Sequence, residues 1–510
     1  MTNLSLHEQS LTDIADAVTR GDVSAEAVAS VYLDRITKYD PALGAFLTVQ
    51  REETLEAARA IDAKRARGET LGPLAGVPIA IKDALCTRDV PTTSASKILL
   101  RSNGSETSGA DPRNGFRPPY DATVVARLRA ADALLIGKTN MDEFAMGSSN
   151  ENSAFFPAKN PWDTSRIPGG SSGGSAVAVA ANLSLGALGS DTGGSIRQPA
   201  GLTGTVGLKP TYGRVSRYGL LAFASSLDQV GPFAMDVRGA ARMLRVIAGH
   251  DAHDQTSLTA PVDDYEAACT QDVRGLRIGV PEEYFGEGLS ADVEARVREA
   301  LKALEAHGCS LHPVRLPHTK YAVATYYVLA TAEASSNLAR YDGLRFGARD
   351  GSATNLEALY ARTRGTNFGR EVARRIVLGT FVLSTGYYDA YYLRAQRVRT
   401  LLRRDFEEAF RNVDVIATPV SPTVAFRLGE RIDDPLAMYL ADVYTLPASL
   451  AGLPAISVPC EPTSATSTTP ALPVGLQLMG PPLQEARLCA MAAAWERLSP
   501  ARGRRPEGFA

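Results

Sequence analysis

The sequence predicts a layered α/β/α fold, with a large, mostly parallel or mixed central sheet covered by helices. Three observations predict it. Apolar strand-like runs at 77–81, 133–136, 276–280, 413–418, 455–458 and 474–479 are separated by segments of helical periodicity. A composition of 45% hydrophobic residues over 510 positions supplies a large core. No internal repeat or long low-complexity linker divides the chain, so residues 1–510 read as a single catalytic domain, although the length alone would permit two to four.

The elements follow in order. Residues 11–36 read as two helices parted by Gly21 and Asp22. The first places Leu11, Ile14 and Val18 on one face, and the second Val28, Val31, Tyr32 and Ile36. The run 77–81 ends at Lys82. In the glycine- and serine-dense block 168–199, PGGSSGGSAVAVAANLSLGALGSDTGGSIRQP, a buried helix is expected at 175–183 and a short strand at 185–190. Residues 291–307 place Val293, Val297, Leu301 and Leu304 along one helical face, with Gly308 as terminator. A mainly helical excursion at about 318–410 is expected to cover the active-site side.

Bulk charge excludes some functions. Lys and Arg number 54 against 56 Asp and Glu, a net charge of −2, so this chain has no electrostatic case for gripping a polyanion alone. Five scattered cysteines without a CxxC pair read as free thiols of a reducing, cytoplasmic compartment. The N-terminus lacks the basic and apolar regions of a signal peptide, and no uncharged apolar run approaches a membrane span.

The chemistry concentrates in the glycine block. Two polar turns, 169–175 and 191–197, flank an uncharged apolar run. Glycine at this density lets backbone approach a ligand closely, and successive N–H groups can converge on an anion. Ser171 and Ser195 put hydroxyls there, which points to a nucleophile with an oxyanion hole. The six histidines lie in unremarkable surroundings, which weakens a Ser-His-Asp triad but leaves it open. Lys82 is the better base: burial at the end of an apolar strand disfavours its ammonium, and a neutral lysine can take a serine proton. The alternative is that Lys82 pairs with Asp83 or another carboxylate.

At this point the chain resembles the amidase signature family, whose catalytic set is Ser–cisSer–Lys. Matched residue by residue, the resemblance implies Ser195 in DTGGSIRQP as nucleophile, Ser171 in GGSSGG as bridging serine after a cis peptide from Gly170, and Lys82 in GVPIAIKD as base. Backbone N–H groups of Thr192, Gly193 and Gly194 would hold the oxyanion. Three passages, 141–155, 216–232 and 379–392, are similar to the branch of the family that works inside tRNA-dependent amidotransferases. That branch implies glutamine as substrate, with Tyr326, Arg375 and Asp442 holding it. Arg375 can grip an α-carboxylate with two prongs and Asp442 can pair with an α-ammonium. Each could equally be an ordinary structural ion pair, and Tyr327 competes with Tyr326. The branch further implies a heterotrimer: a B subunit that activates mischarged Glu-tRNA(Gln) or Asp-tRNA(Asn) with ATP and magnesium and makes the main tRNA contact, and a small C subunit. This chain itself is expected to need no cofactor, metal or membrane. Polar stretches at about 101–117 and 461–470 depart from the family pattern and read as surface insertions. A free-standing amidase for small amides is the alternative, and a non-catalytic scaffold role is opposed by the intact Lys82, Ser171 and Ser195.

Three other signals carry less weight. Gly137-Lys138-Thr139 lacks the first glycine of a phosphate loop, since position 132 is aspartate. His250 and His253 with Asp251 and Asp254 have metal-like composition but read as a solvated loop. Tyr387, Tyr388, Tyr391 and Tyr392 fall at spacings that form one aromatic face of a helix.

Overall fold

The computed structural model describes residues 5–100, 110–466 and 470–509. Most of the inserted stretch 101–117 and the centre of 461–470 therefore lie outside the described residues. The remainder of the first, 110–117, folds back through isolated bridges Leu100–Gly115 and Thr92–Phe116.

One eleven-stranded mixed sheet runs through the molecule in the order β1-β3-β2-β4-β6-β5-β10-β11-β9-β7-β8. The strands are β1 (Phe46–Val49), β2 (Pro78–Lys82), β3 (Leu134–Thr139), β4 (Gly186–Asp191), β5 (Val206–Lys209), β6 (Gln229–Ala234), β7 (Arg277–Pro281), β8 (Ser310–Val314), β9 (Val415–Pro419), β10 (Ala455–Pro459) and β11 (Gly475–Met479). All six expected apolar strands are present, shifted by a few residues at some ends, and β4 is the short strand expected at 185–190. The other four, β1, β5, β6 and β8, lack a sequence signal: they are short or carry Gly, Pro or polar residues, so neither alternation nor an apolar run marks them. The parallel pairs β2–β3, β2–β4, β7–β8 and β7–β9 are joined by an antiparallel centre.

Local chemistry explains the helix ends. Ser10 caps Leu11–Arg20 by accepting from the Asp13 N–H, and Gly21 closes it at φ +84°. Ser24 starts Ala25–Leu43, which runs past the predicted end at 36. Helix Ala291–Ala306 buries the four predicted apolar residues and ends before Gly308, at φ +108°. Residues 318–410 contain helices Ala322–Leu338, Leu356–Asn367, Arg370–Leu383 and Arg394–Ala409, with a π-helical turn Tyr388–Leu393. There Tyr387 stacks on Tyr391 and Tyr388 on Tyr392, but Tyr387, Tyr388 and Tyr391 face outward rather than into the core.

Two features position the site. Strands β2 and β4 lie side by side in parallel, with Ile81 opposite Leu188, so Lys82 ends beside Ser190. Helix Gly173–Ala180, buried along its whole length, packs against β4 and β2 and sets Ser171 at its mouth. The carboxyl ends of adjacent parallel strands are where α/β sheets place ligands.

Candidate active site

Lys82 is completely buried, and its side-chain nitrogen donates to Ser171 Oγ (2.7 Å), Ser172 Oγ (2.8 Å) and Ser190 Oγ (3.0 Å). Among the described residues no carboxylate forms an ion pair with it. Burial pushes its pKa down from 10.5 to about 7, against the milder opposing pull of Asp142, Asp191 and Asp228. The rival pairing with Asp83 does not occur. Asp83 is taken by Lys138 at 3.1 Å and by the backbone and hydroxyl of Thr93. Lys138 thus belongs to an internal ion pair on β3, and the phosphate-loop look of Gly137-Lys138-Thr139 is a buried strand.

The peptide Gly170–Ser171 is cis. The N–H of Ser172 donates to the Ser195 carbonyl at 3.2 Å, which holds the two glycine turns together. Ser195 is slightly exposed, and its hydroxyl makes no hydrogen bond among the described residues, so Lys82 and Ser171 are linked while Ser195 stands open. No histidine hydrogen-bonds to any of these three residues among those described.

The turn 191–195 is held from three sides. Asp191 forms a fully buried pair with Arg197 at 2.9 Å, and burial, which would raise the Asp191 pKa, is outweighed by that guanidinium. Thr192 donates its hydroxyl to Asp228 (2.7 Å), and Thr445 donates to the Gly193 carbonyl (2.7 Å). The N–H groups of Thr192, Gly193 and Gly194 find no acceptor among the described residues. Glycine is required here: Gly194 has φ +152°, and a Cβ on it would stand 2.1 Å from Thr445 Oγ1.

Tyr326, Arg375 and Asp442 converge on this turn. A Cβ on Gly193 would meet the Tyr326 hydroxyl at 2.9 Å, so Tyr326 rather than Tyr327 lies over the turn. Tyr327 instead faces Arg375, whose guanidinium sits 5.1 Å from its ring centroid. Arg375 is buried and spends only its Nε on the protein, on Glu371 at 2.8 Å, leaving the terminal fork without a hydrogen-bond partner among the described residues. Asp442 is buried as well. Its Oδ2 accepts from Ser148, and its Oδ1 is an orphaned buried acceptor. Burial raises its pKa to about 7, with the Ser148 hydrogen bond and Arg375 pulling the other way. A cation fork and an unpaired carboxylate oxygen beside a serine suit a zwitterion.

Several functional contacts leave no mark in the sequence. Ser190 is a partner of Lys82, and Ser172, which reads as a turn residue only, is another. Glu371, Ser148 and Tyr439 are equally silent; the i, i+4 spacing of Glu371 and Arg375 is the one available signal. His253 bonds Asp251 at 3.0 Å, and among the described residues no group of three or more His, Cys, Asp or Glu could hold a metal ion. No described helix is long and apolar enough to cross a membrane.

Fold and site together define a serine amidohydrolase built on a buried lysine. Residues 27–489 match the Amidase family, and the chain belongs to it. Its relatives narrow the comparison. It is 57% identical to the A subunit of glutamyl-tRNA(Gln) amidotransferase from Myxococcus xanthus, over 97% of this chain and 98% of the relative. It is 55% identical to the same-named protein of Moorella thermoacetica, over 99% of each. The crystal structure of the Thermotoga maritima protein of that name superposes with a TM-score of 0.79 at 40% identity, covering 99% of this chain and 98% of that one.

Proposed function

We propose that the chain is the glutaminase component of a cytoplasmic tRNA-dependent amidotransferase, working in a heterotrimer with B and C subunits. The observation that carries the reading is a neutral-leaning lysine bonded to Ser171, one residue from a backbone held against Ser195, with Arg375 and Asp442 presenting opposite charges nearby. The near-full-length relatives, each named as the glutaminase-type component of a glutamyl-tRNA(Gln) amidotransferase, support it.

In this reading Arg375 holds the α-carboxylate of glutamine, Asp442 its α-ammonium, and Tyr326 closes over the side chain. Rotation of Ser195 about its Cα–Cβ bond brings Oγ to Ser171; catalytic hydrogen bonds commonly tighten only with substrate bound. Ser171 passes the Ser195 proton to neutral Lys82 as Ser195 attacks the side-chain carbonyl. The N–H groups of Thr192, Gly193 and Gly194 receive the oxyanion, each worth roughly 3 kcal/mol in the transition state. The proton returns through Ser171 to the leaving nitrogen, ammonia departs, and water frees glutamate from Ser195. Ammonia passes to the B subunit, where ATP and magnesium activate the mischarged tRNA; the glutaminase chain supplies no cofactor.

The test is ammonia release from glutamine by the purified chain, alone and with B and C subunits, ATP and mischarged tRNA, beside Ser195→Ala. Weak activity that rises in the full mixture and vanishes in the variant is expected. Brisk hydrolysis of varied amides, indifferent to the partners, would instead define a free-standing amidase.

A further inference from the structure

Arg375 does not stand alone in its pocket. Glu371, one helical turn before it on Arg370–Leu383, accepts from Arg375 Nε at 2.8 Å, from Arg374, and from the Tyr439 hydroxyl at 2.9 Å. The side chain of Glu371 is about 10% exposed, so this carboxylate is nearly dry. Tyr439 belongs to the short helix Pro435–Leu440, which leads directly into Asp442. Its ring stacks on Tyr327 with centroids 3.8 Å apart, and both rings flank the Arg375 guanidinium, with Phe223 as a third wall at 5.5 Å.

The two charge-bearing ends of the pocket therefore come from different elements, one from the excursion helix and one from the segment after β9. Glu371 bonded to Tyr439 is a direct polar link between them. An arginine has several rotatable bonds, and an unpaired Nε would let its fork swing. Pairing Nε with Glu371 and sandwiching the plane between rings leaves one orientation, with both terminal nitrogens facing outward.

We infer that Glu371 and Tyr439 form a clasp that fixes the distance between the Arg375 fork and the free oxygen of Asp442, and so make the site select an α-amino acid amide over amides lacking that charge pair. Both are positioning residues that act through Arg375 and Asp442. The inference rests on the zwitterion reading of the pocket given under Proposed function, and deepens it.

The test uses the full chain, assaying ammonia release from L-glutamine, from 4-carbamoylbutanoate, which lacks the amino group, and from butyramide, which lacks both charges. Glu371→Gln and Tyr439→Phe change few atoms and leave the pocket walls in place. Each is expected to raise KM for glutamine about tenfold, as loss of one hydrogen bond to a charged group does, with kcat and butyramide turnover within about twofold. The preference for glutamine over 4-carbamoylbutanoate shrinks with it. Equal losses on glutamine and butyramide, or no loss on either, would overturn the clasp while leaving the zwitterion pocket standing. A wild-type chain that turns over butyramide as well as glutamine would overturn the zwitterion reading, and the clasp with it.

Discussion

The state of Lys82 makes the most demanding prediction. An ordinary lysine is neutral about once in 3,000 molecules at pH 7, whereas a lysine with a pKa of about 7 is neutral half the time. The difference corresponds to about 5 kcal/mol, the cost of holding an ammonium among three hydroxyls without a paired carboxylate. Because the neutral amine is the base, activity rises with pH and levels off above pH 7. For an uncharged amide, log kcat/KM should climb with slope 1 below pH 7 and break near 7. For glutamine the climb should be steeper, approaching slope 2, because Asp442 must also lose a proton near pH 7 before it can hold the α-ammonium. Asp442→Asn should return the glutamine slope to 1 and raise KM. Stability has a matching signature. Between pH 7 and 10.5 the native chain binds one proton fewer than the unfolded chain at this site, so native stability rises with pH by about 1.4 kcal/mol per unit. Lys82→Met should lack that rise, which thermal scans of both proteins from pH 7 to 9 would register. A break near pH 10, or a flat profile with ample turnover at pH 5.5, would refute a neutral lysine base.

Other consequences are equally direct. Ser195→Ala should lower glutamine hydrolysis by about a thousandfold or more and abolish the acyl adduct seen by mass spectrometry of the trapped enzyme. Gly194→Ala, which would force a methyl onto Thr445 Oγ1 at a φ of +152°, should cut kcat about a hundredfold by displacing the oxyanion donors, read against circular dichroism for retained fold. Arg375→Lys removes the two-pronged fork and should raise KM for glutamine by about tenfold to a hundredfold in steady-state assays. Arg197→Met strands the fully buried Asp191 carboxylate and should cost about 3–5 kcal/mol of stability, measured by denaturant unfolding.

What the sequence disclosed and what it hid divide along physical lines. Lys82, Ser171 and Ser195 were legible because each sits in a local pattern: a lysine closing an apolar strand, and serines inside glycine turns. The six apolar strands were legible for the same reason. β6, with the sequence Gln-Val-Gly-Pro-Phe-Ala, is a central strand whose place depends on neighbours contributed from elsewhere in the chain. The choice between Tyr326 and Tyr327 needed the orientation of a helix, since adjacent residues point about 100° apart. Ser190 became a partner of Lys82 only through the register of β2 against β4, and Ser148 reaches Asp442 from 294 positions away in the chain. Such contacts are properties of the folded sheet and leave no local trace.

The pairing of Asp83 with Lys138 has a wider meaning. Asp83 follows the base directly in the chain, and a carboxylate released there could turn toward Lys82 and restore its charge. Lys138 and Thr93 keep that carboxylate occupied. A residue outside the reaction thereby sets the acidity at which the enzyme works. Drift at position 138 could retune the pH range of activity across a lineage while every reacting atom stayed the same.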